Sequence, residues 1–213
     1  MTKERPILFS APMVRAILSG TKTQTRRIVK PQPTKNPKFA GGAYITQPKR
    51  TFSARQTAGD IAVAADYVHL CCPYGQPGDR LWVRESFWGC DSEGMGDTPC
   101  VVYDDEWNGK EYRAAEIRPW APKFGRIPSI HMPRNCSRIL LEVTGVRVER
   151  LNDCSVRDAI DEGAAPLLPA PAISQACPED YLAGFRQLWD SINGAGAWSA
   201  NPWVWVVEFR RTA

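Results

Sequence analysis

Residues 203–210, WVWVVEFR, leave an extended chain few options: Trp203, Trp205, Val207 and Phe209 fall on one side, and Val204, Val206, Glu208 and Arg210 on the other. Aromatic residues on one face and branched aliphatics on much of the other predict a strand long enough to zip a sheet closed. Segment 137–151, SRILLEVTGVRVERL, has the same character, with Ile139, Leu141 and Val143 alternating with Leu140, Glu142 and Thr144. Both faces hold apolar residues, so at least part of each is covered.

Shorter signals surround these two strands. PILF at 6–9 reads as a strand, Ser10 with Pro12 starts a helix through Ser19, and Gly20 stands where a left-handed cap belongs. The turn Pro77-Gly78-Asp79 opens a strand with Leu81, Val83 and Glu85 on one face and Trp82 and Arg84 on the other. Ser155 with Asp158 forms a capping box for a short helix ending at Gly163. After Pro178, the residues Tyr181, Leu182, Phe185, Leu188, Trp189 and Ile192 make one apolar helical stripe, read as core packing, and Asn193-Gly194 ends it. Between these elements lie a Pro, Gly, Lys and Thr-rich loop at 31–59 with a hairpin around Tyr44, an irregular stretch at 89–130 and a proline-rich linker at 165–176. Few, short strands with helices at the two sides predict an α+β domain on a small, curled or barrel-like sheet.

The 213 residues have a formal net charge of only +4, but it is unevenly spread. Met1 to Gly59 carries 12 Lys or Arg against a single acid, Glu4, a net of +11, whereas the remainder carries 15 against 22, a net of −7. A basic first quarter points to a polyanion such as nucleic acid or, equally, to a solvated basic face. No apolar run is long enough for a membrane span and no secretory signal is evident, so a cytoplasmic, soluble protein with reduced cysteines is expected. The seven cysteines include no C-x-x-C pair, and only His69 and His131 could supplement them, so neither a metal nor another cofactor is expected. There is no Gly-rich phosphate loop, no H-E-x-x-H and no G-x-S-x-G.

Two places could carry chemistry. In GTKTQTRR, 20–27, Lys22 stands three residues before Thr25, with Arg26 and Arg27 beside them. A threonine hydroxyl needs a base, and a lysine serves only where burial or neighbouring cations lower its pKa. The alternative is a solvated basic strand edge. Glu142 lies between Leu140 and Val146 on an apolar strand face, so it is either paired with a cation, partly desolvated, or at an edge facing water. The loop SIHMPR, with His131 and Arg134, could touch a nucleic acid or serve only as a turn. Glu85 and Glu208 read as surface or rim positions.

The runs ILSGTKTQTRR, PGDRLWVRE, LLEVTGVRVERL and WVWVVEFR together resemble the ASCH domain of the PUA-like superfamily, in particular the larger versions carried by phages and prophages. The matching blocks are 7–30, 77–88, 136–163 and 178–210. The resemblance implies a single domain over 1–213, a small PUA-like β-barrel with flanking helices, and long insertions at about 31–76, 89–135 and 164–177. It implies a cleft for a nucleoside, nucleotide or RNA in a protein favoured as a monomer. Small bacterial members are amidohydrolases that remove the acetyl group from N(4)-acetylcytidine with a lysine, a threonine and a glutamate. Carried onto this chain these fall on Lys22, Thr25 and Glu142, with Arg26, Arg27, Lys49, Arg50, Arg55, Arg84, His131 and Arg134 as candidate substrate or nucleic-acid contacts. Other relatives are RNA-binding modules or nucleases, so a non-catalytic RNA or DNA binding module stands as the second expectation.

Overall fold

A computed structural model describes residues 2–33, 38–40, 43–46, 68–91, 99–103, 112–113, 125–168 and 176–212. The first half runs β1 (Glu4–Leu8), α1 (Ala11–Leu18), β2 (Gln24–Ile28), β3 (Lys38–Ala40), β4 (Ala43–Thr46), β5 (Val68–Leu70), β6 (Arg80–Arg84), β7 (Phe87–Asp91), β8 (Pro99–Tyr103) and β9 (Tyr112–Arg113). The second runs β10 (Gly125–Ile127), β11 (Leu140–Arg150), α2 (Val156–Asp161), α3 (Pro178–Asn193) and β12 (Trp203–Arg211).

The two long apolar strands are each other's partners: β11 and β12 pair antiparallel from Leu141 opposite Arg211 to Arg150 opposite Trp203, with an irregularity between Val143 and Gly145. Around them the main sheet has the order β1-β6-β11-β12-β2. β1 joins β6 in parallel, and the other pairs are antiparallel. The alternation of β12 sorts its side chains between two cores. Trp203, Trp205, Val207 and Phe209 pack with Ile7, Val14, Ile17, Leu81 and Val83 beneath α1. Val204 and Val206 face Leu151, Ala159, Phe185 and Trp189 of the α2 and α3 side. Burying each such side chain contributes about 1.5–3 kcal/mol relative to leaving it in water, so the strand is held from both faces.

The fold is thus mixed α+β, built on a five-stranded sheet with few helices. The expected barrel is not closed among the described residues, because β1 and β2 are the two ends of the strand order and do not pair with each other. A side chain spans the gap instead: Arg27 Nη2 on β2 donates to the carbonyl of Leu8 on β1 at 2.6 Å. The stretch read as irregular after residue 89 holds regular structure, since β10-β7-β8-β9 form a second sheet over Phe87, Val101, Tyr103, Ile127 and Met132. Its strands are only two to five residues long, too short for a periodic pattern to stand out. The hairpin around Tyr44 is present as β3 and β4, with β5 completing a three-stranded sheet. Among the described residues no helix is long and apolar enough to cross a membrane.

Candidate functional site

The segment after α1 is clamped by backbone bonds before any side chain is considered. Gly20 takes φ +78°, Lys22 N donates to Ala16 O at 3.0 Å, and Thr23 N donates to Asp161 O at 2.8 Å. Lys22 thereby forms a β-bridge with Glu162, the residue that ends α2. The capping box read from Ser155 and Asp158 starts that helix. Gly163, at φ +71°, turns the chain away, and a Cβ there would lie 2.9 Å from Ala16 Cβ and 3.0 Å from Lys22 Cβ. Only glycine combines that backbone with so close an approach.

The side chains of the bridged pair meet in the interior. Lys22 is 2% and Glu162 3% exposed. Lys22 Nζ donates to Gln24 O and Glu162 O at 2.8 Å each and to Glu162 Oε2 at 2.9 Å. The other oxygen of Glu162, Oε1, accepts from Arg26 Nη1 at 3.2 Å. Burial pushes the Lys22 pKa down, Glu162 counters it, and the nearby Arg27 and Arg26 charges push the same way as burial. Burial and the neighbouring cations favour the neutral amine, whereas the three acceptors around Nζ favour the ammonium.

Behind this pair lies a lattice of alternating charge. Arg26 also binds Glu149 at 2.6 Å and Asp158 at 3.2 Å, and Arg147 binds Glu149 and Asp158 at 2.9 Å each and Glu208 besides. Gln24 Nε2 donates to Asp158 Oδ1 at 3.0 Å. Burial works to raise the Asp158 pKa, but hydrogen bonds from Ser155 and Gln24 and the Arg26 charge hold it well below the ordinary carboxylate range.

A cleft of about 800 Å³ opens along β2, between the two unpaired edges of the main sheet. Its polar end holds Thr25, Arg26, Arg27 and Glu162. Phe185, Leu188, Trp189 and Ile192 of α3 form its apolar wall. Thr25 is 3% exposed, and its hydroxyl makes no hydrogen bond among the described residues. The amine of Lys22 donates to the carbonyl of Gln24, the residue before Thr25. The stripe on α3, read as core packing, therefore has two roles: Phe185 and Trp189 are buried, whereas Leu188 and Ile192 turn to the cleft, Ile192 being 58% exposed.

Glu142 does not line the cleft. It sits on β11 opposite Arg210 and Arg80, and its carboxylate pairs with Arg210 at 3.0 Å near the surface. Pairing with a cation was one of the readings of its strand position, and it is the one the structure adopts. The carboxylate beside Lys22 is Glu162, separated from it by 140 residues. Its only trace in the sequence is its place just before the cap glycine Gly163. Arg26 does not present its charge outward as a nucleic-acid contact; it is buried among carboxylates. Arg84 donates to the carbonyls of Met132 and Ile130 and lies over Trp82, Arg134 pairs with Glu4 at 2.9 Å, and exposed His131 is in a 3-10 turn at Ser129–His131. None of these three lines the cleft. Lys49, Arg50 and Arg55 lie outside the described residues. Glu85, read as a rim position, is buried and held by Arg138 through two bonds of 2.9 Å. Among the described residues no group of three or more His, Cys, Asp or Glu is placed to hold a metal ion. Comparison of the chain with protein-family models, with curated proteins and with solved structures finds no match.

Proposed function

We propose that this protein is an amidohydrolase acting on an N-acylated nucleobase such as N(4)-acetylcytidine, with Lys22, Thr25 and Glu162 as its catalytic groups and a PUA-like sheet left open between β1 and β2 to admit the substrate. The observation that carries the reading is the buried Lys22–Glu162 pair, 2.9 Å apart, beside a cleft whose wall includes an uncommitted threonine hydroxyl. The resemblance to the ASCH domain asks for a lysine, a threonine and a glutamate. The geometry favours Glu162 over Glu142 for the last.

The three acceptors around Nζ suit an ammonium, and passing one proton to Glu162 Oε2 leaves a neutral amine and a carboxylic acid. As the Thr25 oxygen attacks the amide carbonyl, its proton goes to Lys22. When the C–N bond breaks, the proton on Glu162 goes to the departing nitrogen, so the base leaves as a neutral amine. Water then attacks the acyl ester on Thr25, giving one proton to Glu162, and the carboxylic acid is released as Lys22 returns a proton to the threonine oxygen, which restores the neutral amine and the acid. The apolar wall of α3 offers a face for a planar base.

The test is incubation of the purified protein with N(4)-acetylcytidine and chromatographic detection of cytidine and acetate. The reading expects both products in equal amounts, with their rate cut by at least about 100-fold in Thr25→Val. No product from the wild type on any N-acylated base or nucleotide would overturn it.

A further inference from the structure

Arg26 and Arg27 are neighbours on β2 in opposite circumstances. Arg26 meets three carboxylates, Glu149, Asp158 and Glu162. Arg27 meets none among the described residues. Its Nη2 donates to Leu8 O at 2.6 Å, and its guanidinium lies over the rings of Phe9 and Tyr74, 5.4 and 6.0 Å from their centres. Those three contacts hold the group in one orientation on the cleft wall, half-buried, with its charge uncompensated and Nη1 without a hydrogen-bond partner among the described residues. Lys30, exposed at the same cleft, likewise has no ion pair among them. Among the described residues the single acid lining the cleft is Glu162, and its two oxygens are engaged by Lys22 and Arg26.

The cleft thus offers a fixed, planar cation with no carboxylate to answer it among the described residues. Side chains two apart on a strand share a face, so Arg27 stands beside Thr25, about 6.6 Å along β2 at 3.3 Å per residue. The cleft's volume of about 800 Å³ lies in the upper part of the range for ligand sites, with room for more than a bare base. A guanidinium braced by aromatic rings is the side chain best suited to grip phosphate oxygens in a fork.

We propose that Arg27, with Lys30 at the rim, forms a phosphate-binding subsite, so that the cleft takes a phosphorylated nucleoside, either a free nucleotide or one within an RNA strand, in preference to a free nucleoside. The proposal rests on the reading of the cleft as a nucleobase pocket but not on the hydrolysis proposed there. Calorimetric titration of the wild type, Arg27→Gln and Lys30→Gln with cytidine, cytidine 5′-monophosphate and a mixed-sequence oligoribonucleotide tests it, since none of these ligands carries an acyl group. The expected result is nucleotide binding about tenfold tighter than nucleoside binding, with the preference lost in Arg27→Gln and reduced in Lys30→Gln, at melting temperatures close to wild type. An RNA strand as the source of the phosphate gives tighter binding than the mononucleotide with a steep salt dependence; a free nucleotide gives the reverse order. Equal affinity for cytidine and its monophosphate, or a preference that survives Arg27→Gln, overturns the proposal. A nucleotide preference in a protein that releases no acetate would leave the subsite standing and remove the hydrolase reading alone.

Discussion

Lys22 and Glu162 are joined twice, since one ammonium donates both to the backbone carbonyl and to the carboxylate of the same residue, at 2.8 and 2.9 Å. The double attachment locks the end of α2 to the start of β2 and fixes the carboxylate at the inner wall of the cleft.

A buried ion pair is costly to break from one side. Lys22→Met leaves Glu162 with Arg26 as its only cationic partner among the described residues and is expected to destabilise the fold by about 3–5 kcal/mol. Because the penalty is an orphaned charge, Lys22→Met with Glu162→Gln is expected to lose less than the two single variants added together. Urea denaturation of the four proteins measures the coupling; strict additivity would mean that the pair is not the energetic unit described here.

Asp158 gives the fold a specific acid sensitivity. Its folded pKa is depressed, so the unfolded chain binds its proton first, and the stability it contributes is complete above the ordinary aspartate value of about 3.9. That contribution is lost as pH falls below this value towards the folded pKa. Asp158→Asn is expected to cost about 2 kcal/mol at pH 7, with a smaller difference from wild type below about pH 4. Melting curves across pH 2–7 for both proteins check this, and a gap that stays constant would contradict it.

Gly163 is the hinge on which Glu162 reaches Lys22. Gly163→Ala places a Cβ 2.9 Å from Ala16 and 3.0 Å from Lys22 at φ +71°. The expected loss is about 1–2 kcal/mol of strain, with reduced turnover because the Lys22 side shifts. Gly20→Ala is the control: at φ +78°, close to that of Gly163, its Cβ would meet nothing within 4 Å. Thermal melts of the two variants should place Gly163→Ala lower; equal losses would mean backbone strain alone matters.

What the sequence makes legible follows from the range of each interaction. The alternation of 203–210, the capping box at Ser155 and the stripe of α3 are local, and each appears where its pattern puts it. Lys22 and Thr25 stand out because a cap glycine and a cluster of cations surround them within six residues. Glu162 does not, because what distinguishes it is a partner 140 residues away, met only after α1, α2 and β2 are assembled. Glu142 stands out for the opposite reason: a carboxylate on an apolar strand attracts notice, but a cross-strand arginine answers it. Arg26 and Arg27 are indistinguishable in the sequence; both reach the cleft, but strand alternation gives Arg26 three carboxylates and Arg27 none among the described residues.

Two glutamates are candidates for the role beside Lys22: Glu162 in the interior and Glu142 near the surface. Steady-state hydrolysis of N(4)-acetylcytidine and its 5′-monophosphate by the wild type, Glu162→Gln and Glu142→Gln, each shown to be folded by circular dichroism, measures this most directly. Glu162→Gln is expected to lower kcat/KM by about 100-fold or more, whereas Glu142→Gln, which gives up only a surface pair, is expected to stay within about twofold of wild type. Full turnover by Glu162→Gln, or its loss in Glu142→Gln alone, would contradict it.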